Sequence, residues 1–550
     1  MRIACFIPAI RAQARFHDDL LRKLDGIPLI QRAILKAQSL GGANQSIQVL
    51  TDSEEVALIA RRNNADVFWQ PDLQLENFQE NKDLLQYLAT AERDVQISAL
   101  LSPYAPLLNS GTFHEALHVF LGKEIQILKP VRKVARRVID DTSELVWRGF
   151  VGTAAAHHRL ESSAFMLLRP GLLWRPPIPP VVIELFEADD SVFEIETLQD
   201  WWVCEKLLQR KRIVFRVIGN NRIGMGHVYR ALSLAHELHD HEILFVTDTD
   251  NQAAVETIVR RDYWLGVYPR GQMIEELIRL QPDLVINDVL DTRKKDTEAL
   301  KYSGAKVASF EDLGPGARCT DLTVNELYDE PQFDEGNVLW GRKYFFLRDE
   351  FALARPHRFS RRVSSIMLAF GGTDQHDLAR KILHAVRPVC DKHGVFIHIV
   401  TGPGYRGYDR LMRQVQGDDK VSLTHDSQVI SGLMEQVQVA ITSNGRTVYE
   451  FAHMNIPTIV IAQHERELTH AFASADNGFV PLGLYRPGIT EKQARQALGK
   501  LLIDVESRKV LHQRLRRHRF SGNKTRVLRL LNGLIKDKMP NGQPIGTGVS

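Results

Sequence analysis

The chain holds 550 residues, with 70 Lys and Arg against 67 Asp and Glu, a formal charge of +3 and 44% hydrophobic residues. That length is too great for one core, and so small a net charge excludes a protein that finds nucleic acid through a global basic field. Four cysteines (Cys5, Cys204, Cys319, Cys390) lie far apart with no C-x-x-C pair, which argues against a zinc site and a disulfide framework and suits a reducing cytoplasm.

The opening residues Met1-Arg2-Ile3-Ala4-Cys5-Phe6-Ile7-Pro8 are apolar for too few positions to be a signal peptide and are expected to form a buried first strand. No stretch approaches the roughly 18 uncharged apolar residues of a membrane-spanning helix, so no membrane insertion is expected. Short apolar runs (2–7, 47–50) alternate with helical patterns (29–39, 54–63), the signature of βαβ units around parallel sheets. A first domain is predicted over residues 1–212, ending after the helix-like run 198–208, where Trp201-Trp202 is expected to pack in the core.

A fresh strand at 213–217 starts a second domain, predicted over 213–354. The pattern restarts after the linker-like Arg355-Pro356-His357-Arg358-Phe359, giving a third domain over 355–539, and the Gly- and Pro-rich tail 540–550 is expected to be disordered. The basic run from Arg508 to Arg519 is most simply a solvated helix face, with a phosphate- or membrane-binding helix as the alternative. His464, His470 and Asp476 lack the spacing of a metal site.

The chemistry concentrates in the second half. After the strand 213–217 come Ile223-Gly224-Met225-Gly226-His227-Val228-Tyr229-Arg230 and a helical pattern, that is, strand, glycine turn, helix. Gly224 and Gly226 permit close backbone approach, and His227 falls at a helix start, where amide donors attract anionic groups. A neutral imidazole beside a phosphorylated sugar can act as a general base, worth about 10²–10⁴ in rate. An isolated G-x-G-H could equally cap or pack the helix start. Later motifs repeat the logic. Phe370-Gly371-Gly372-Thr373-Asp374 precedes a helix as a diphosphate cradle, and Ser443-Asn444-Gly445-Arg446-Thr447-Val448-Tyr449-Glu450 places a carboxylate in a first turn, where it can take ribose hydroxyls or serve as a surface charge.

Taken in order, these segments, with Asn287-Asp288 and Ser521-Gly522-Asn523-Lys524-Thr525-Arg526, resemble the UDP-sugar hydrolase of pseudaminic acid biosynthesis, a relative of the glycosyltransferase that makes lipid II. The resemblance runs from Ile213 to Lys536. It implies a GT-B pair of Rossmann-like domains, and hydrolysis of a UDP-amino sugar by water activated at His227, with no cofactor. It also implies nucleotide and sugar contacts from Gly224, Gly226, Arg230, Asp288, Gly371, Gly372, Thr373, Asp374, Ser443, Asn444, Gly445, Thr447 and Glu450. Two departures stand out. The family has an acid before its glycine turn where this chain has Asn220-Asn221-Arg222, and an Asn-Gln pair where this chain has Ala462-Gln463-His464.

The first half resembles CMP-sialic acid synthetase-type cytidylyltransferases, through Ile7-Pro8-Ala9, Gly26-Ile27-Pro28-Leu29, Thr51-Asp52-Ser53, Leu101-Ser102-Pro103 and Phe193-Glu194-Ile195-Glu196. This implies an α/β, Rossmann-like nucleotidyltransferase (GT-A-like) domain, with Arg11, Arg15, Lys23, Asp52 and Ser102 at a nucleotide and Glu194 and Glu196 at Mg²⁺. Here the family's Asp pair is replaced by Glu, and the triphosphate loop has lost its Gly and Ser and gained Asp18 and Asp19.

The expected whole is a fused enzyme of nonulosonic (sialic-acid-like) sugar biosynthesis. Its partners would be a UDP-sugar, with CTP and a nonulosonic acid for the first half, no nucleic acid, and a second copy through the first domain. The alternatives are a GT-B glycosyltransferase with a silent first domain, and a nucleotide-sugar binding scaffold without turnover.

Overall fold

The computed structural model describes residues 2–41, 45–69, 95–135, 157–169, 182–220, 223–427 and 429–536, so Asn221, Arg222 and the tail from Pro540 lie outside the described residues. The chain divides into two compact units, Met1–Arg210 and Lys211–Ser550.

Among the described residues, the first unit is built on one mixed eight-stranded sheet. Its centre is Ile3–Ala9, seven consecutive buried residues flanked by the parallel strands Gln45–Thr51 and Ile97–Leu101. A strand covered on both faces has no solvent side, and so it reads as a continuous apolar run rather than an alternating one. Phe165–Leu168 pairs antiparallel to Ile97–Leu101 and links it to Ile127–Ala135. The helices Leu29–Gly41 and Ser110–Gly122 contribute Ile30, Ile34, Phe113 and Phe120 to the core on one face. The closing helix Leu198–Leu208 starts at a capping box between Thr197 and Asp200, which satisfies amide donors that a helix start leaves orphaned. It buries Trp201 in the same core, but Trp202, expected to pack there too, is 60% exposed.

The second unit carries two wholly parallel sheets. The first runs Trp264–Tyr268, Glu242–Asp248, Arg212–Val217, Leu284–Asp288, Lys306–Phe310, Leu322–Asn325, Val338–Trp340. The second runs Val421–His425, Phe396–Thr401, Ser365–Ala369, Val439–Ser443, Thr458–Ala462, Phe479–Leu484. In both, the first strand in sequence lies inside and the order reverses beside it, the switch point at which doubly wound sheets bind ligands at their carboxyl ends. Helices cover both faces, and the whole is the GT-B arrangement of two Rossmann-like lobes around one cleft. The last helix, Asn523–Lys536, returns to the first lobe, where Val527, Leu531 and Ile535 join the core of Phe215, Val217 and Val228.

The run from Arg508 to Arg519 is not all solvated. Arg508 is buried and donates to the carbonyls of Leu501 and Leu502 as well as to those of Ser360 and Arg361. Among the described residues no helix is long and apolar enough to cross a membrane.

Candidate active site

The strand Arg212–Val217 runs into Ile218-Gly219-Asn220, and there the chain turns. The Asn251 side chain accepts from Gly219 N–H (3.1 Å) and Asn220 Nδ2 (2.9 Å), while Asn220 takes Gly224 N–H on its carbonyl (2.9 Å) and Ile223 N–H on its side chain (3.2 Å). Asn220 thus ties the turn at the position where the hydrolase family carries an acid. Gly224 closes it at φ +92°, a region costly for any residue with a Cβ. The helix Gly226–Glu237 then begins, with His227 at its second position.

Gly224, Gly226 and His227 line a cleft of about 360 Å³ between the two lobes of this unit. Gly371, Gly372 and Thr373 enter it from the loop after Ser365–Ala369; Ser443, Gly445, Thr447 and Glu450 enter it from the loop and helix after Val439–Ser443. Asp288, at the end of Leu284–Asp288, lies behind this wall rather than on it.

His227 is buried apart from its cleft face, with Nδ1 at 2.6 Å from Asp288 Oδ1. Arg230, one helical turn on, clamps the same carboxylate, Nε to Oδ2 at 2.8 Å and Nη2 to Oδ1 at 2.5 Å. An acceptor held this way takes a proton from Nδ1, which leaves Nε2 of the neutral ring as the basic nitrogen. Arg230 also donates through Nη1 to Glu311 (2.5 Å) and Glu326 (2.8 Å), two further buried carboxylates. Burial on its own would raise the Glu311 carboxyl, but the Arg230 and Arg446 guanidiniums outweigh it and hold Glu311 below the usual carboxylate range. Desolvation likewise works against the Arg230 charge, and Asp288, Glu311 and Glu326 reverse it, leaving Arg230 more firmly protonated than a free guanidinium.

Several groups here were not legible in sequence. Arg446 crosses from the second lobe to Glu326 and to within 3.8 Å of Glu311. Arg466 crosses as well, to Tyr328 Oη (2.9 Å), Asp291 (3.0 Å) and the Glu311 carbonyl (2.7 Å). Glu467 lines the cleft and accepts from Gln463 N–H at 2.6 Å, and burial pushes its carboxyl up to about 7. His470 donates from Nδ1 to the Asn444 carbonyl (2.8 Å), and burial lowers it, so it stands neutral. Arg348 pairs with Glu450 at 2.9 Å. Arg446 and Glu450 both lie in the motif 443–450, where only Glu450 was singled out; Arg466, Glu467, His470 and Arg348 are single polar residues with no local pattern.

Two predicted residues serve the scaffold instead of the cleft wall. Asp374 accepts from the Leu378 and Ala379 amides, both at 2.7 Å, and so caps the helix Leu378–His393; burial lifts its carboxyl to about 6 against those bonds. Asn444 donates to the carbonyls of Glu467 (2.6 Å) and His470 (3.1 Å), fixing the opposite loop.

In the first unit the predicted nucleotide loop is closed upon itself. Asp52 accepts from the Arg11 and Ala12 amides, Arg11 pairs with Asp18 (2.9 Å), and Arg15 lies over the Tyr104 ring and donates to the Ile195 carbonyl. Lys23 is exposed on a short strand, and Ser102 accepts from the Tyr104 amide (3.2 Å). Glu194 takes Ser163 N–H (2.7 Å) and the Ser162 hydroxyl (3.2 Å) on one oxygen, while the other faces Arg15 at 3.6 Å. Glu196 is exposed, and among the described residues no three His, Cys, Asp or Glu side chains cluster as a metal site. A dication at Glu194 would sit against the Arg15 guanidinium. As arranged, a cation at Glu194 would have to displace the Arg15 guanidinium from that oxygen.

The fold and this cleft define an α/β protein whose second unit sets two Rossmann-like lobes about a ligand cleft in the GT-B manner, together with a separate first unit on a mixed sheet. No family model matches the chain. It is similar to an uncharacterized protein of Methanocaldococcus jannaschii, 29% identical over 266 residues (45% of this chain, 54% of the relative). It is also similar to the spore coat polysaccharide biosynthesis protein SpsG of Bacillus subtilis, 26% identical over 274 residues (47% of this chain, 80% of the relative). The chain thus spans about half the length of the first of these relatives. Among solved structures, Acinetobacter baumannii MurG covers 59% of this chain and 99% of its own length at TM-score 0.43 and 13% identity. A CMP:2-keto-3-deoxy-manno-octonic acid synthetase complexed with CTP covers 38% and 98% at TM-score 0.30 and 13% identity.

Proposed function

We propose that the cleft of the second unit binds a UDP-linked amino sugar and that His227 is the general base that activates water at its anomeric carbon, releasing UDP and the free sugar. The observation that carries this reading is the His227–Asp288 pair at 2.6 Å, opening on a cleft lined by three glycine or hydroxyl loops. Asp288 fixes the tautomer and stabilises the imidazolium as His227 takes the proton from water, so the ring needs no reorientation during the step. Gly371, Gly372, Thr373 and Ser443 would cradle the diphosphate, and Glu450, steadied by Arg348, would hold the ribose. SpsG, by its name, belongs to polysaccharide biosynthesis, which agrees with a nucleotide-sugar substrate.

A second reading is glycosyl transfer to an acceptor hydroxyl by the same base. It is favoured by Gln463, whose amide is spent on the Phe370 carbonyl (3.1 Å), and by the half-exposed His464 beside it, where the hydrolase family carries its Asn-Gln pair.

For the first unit we propose a non-catalytic role, which the Arg15–Glu194 ion pair supports because a cation would have to displace it.

The test is UDP release from candidate UDP-amino sugars with no acceptor present, wild type beside His227→Ala. The expected result is acceptor-independent release that falls about 10²–10⁴-fold in the variant. Release only on adding an acceptor would replace hydrolysis by transfer, and no release with either would leave a binding scaffold.

A further inference from the structure

The wiring behind His227 reaches across the cleft. Arg446 sits in the loop between Val439–Ser443 and Thr447–His453, the loop whose Ser443 and Gly445 line the nucleotide side of the cleft. Its guanidinium is held at four points in the other lobe and the connection between them: the Glu326 carboxylate, Glu311 at 3.8 Å, the Phe346 carbonyl at 3.2 Å and the face of the Phe345 ring at 4.6 Å. A flexible side chain pinned in this way has little rotamer freedom left, so it acts as a fixed charge.

That charge completes a count. Three buried carboxylates, Asp288, Glu311 and Glu326, face two guanidiniums, Arg230 and Arg446. Of the other charged groups at the cleft, Arg466 pairs with Asp291, Arg348 pairs with Glu450, His470 is held neutral by burial, and Glu467, raised to about 7 by its own burial, holds its proton below that pH. One net negative charge is left beside His227. It matches the proton that a general base must take up, so the cluster becomes neutral only when the imidazole is charged. Glu326 carries the balance, because its Oε1 is shared by Arg230 and Arg446 while its buried Oε2 has no hydrogen-bond partner among the described residues. Without Arg446 the cluster would hold two uncompensated charges and keep a proton on His227 when the site is idle. A base already protonated cannot take a proton from water.

We propose that Arg446 is a positioning residue that sets the protonation of His227 through Glu326, Glu311, Arg230 and Asp288, and so ties the nucleotide-side loop of one lobe to the base on the other. The inference rests on the assignment of His227 as base, but its first readout does not need turnover. The imidazole of His227 is titrated by NMR in histidine-labelled full-length protein, its signal identified by loss in His227→Gln. In Arg446→Met the titration midpoint of His227 rises by about one pH unit. In Glu326→Gln, which removes a negative charge, it falls. In the double variant it returns toward wild type, and Arg446→Lys stays near wild type because the charge is kept. UDP release gives the second readout: in Arg446→Met it drops about threefold at pH 7 and recovers on a plateau at higher pH, whereas a merely structural loss lowers the plateau itself. An unchanged midpoint in folded Arg446→Met or in Glu326→Gln overturns the proposal. If Arg446→Met does not fold, Glu326→Gln and the double variant still decide it. Wild-type protein that releases no UDP overturns the assigned function, while the titration series still tests the linkage.

Discussion

His227, Asp288 and Arg230 show how little of a polar residue's role lies in its own identity. The imidazole is defined by a carboxylate 61 positions away in the chain, and that carboxylate by an arginine that it could have met anywhere. Glu467 makes the same point with a measurable sign. In the folded protein burial raises its carboxyl from 4.5 to about 7. Between those values the folded state keeps a proton that the unfolded chain has released, so this group's contribution to stability declines as pH rises through the window and is fully lost above it. Glu467→Gln removes that dependence. In urea titrations the variant is expected to gain on wild type between pH 4.5 and 7.5, by on the order of 2–3 kcal/mol at the upper end. A difference that is flat with pH would show that Glu467 is ionised throughout. Nothing in the run Glu465-Arg466-Glu467 marks one acid as buried and the other as exposed, so sequence could not single it out.

The functional elements share one construction: a buried parallel strand, a short loop of small residues, and a helix that starts at the cleft. Glycine spacing made these loops visible in sequence, because only small residues allow such turns and such close approach. The reason for the second glycine of the first loop appears only in three dimensions. A Cβ added at Gly226 would lie 3.1 Å from Arg446 Cδ, tighter than ordinary packing, since the second lobe's arginine passes over it. Gly226→Ala is therefore expected to fold with an unchanged circular dichroism spectrum but to shift Arg446 by a few tenths of an ångström, lowering UDP release roughly tenfold. Unaltered turnover would mean that the arginine is free to move. The same view explains Asp374 and Asn444. Both stand inside phosphate-type motifs, yet their side chains turn back to satisfy backbone groups, a role that the motif by itself does not distinguish from ligand contact.

At the scale of the molecule, each unit has its own core, that of the first built on Ile3–Ala9 and those of the second on its two parallel sheets. Residues 211–550 expressed alone are expected to fold and to retain UDP release, whereas residues 1–210 alone are expected to make no pyrophosphate from CTP, Mg²⁺ and a nonulosonic acid. A pyrophosphate signal would reverse the non-catalytic reading of Glu194 and Arg15. The cut must leave Asn523–Lys536 in place, because that last helix fills the core of the unit's first lobe.

The alternation of short apolar runs with helical patterns determined the α/β class and the parallel sheets, and the glycine turns marked where the chain would meet a ligand. These are local signals, set by periodicity and by the sterics of a missing Cβ. Which carboxylates surround His227, which arginines neutralise them and which acids are pushed off their ordinary titration were decided by tertiary structure alone. Arg230 meets Glu311 across 81 positions and Arg446 meets Glu326 across 120, and the strength of each pair depends on burial that no single charged residue announces. The glycine-histidine turn was legible in the chain, but the charge balance that would make its histidine a base exists only in the folded cleft.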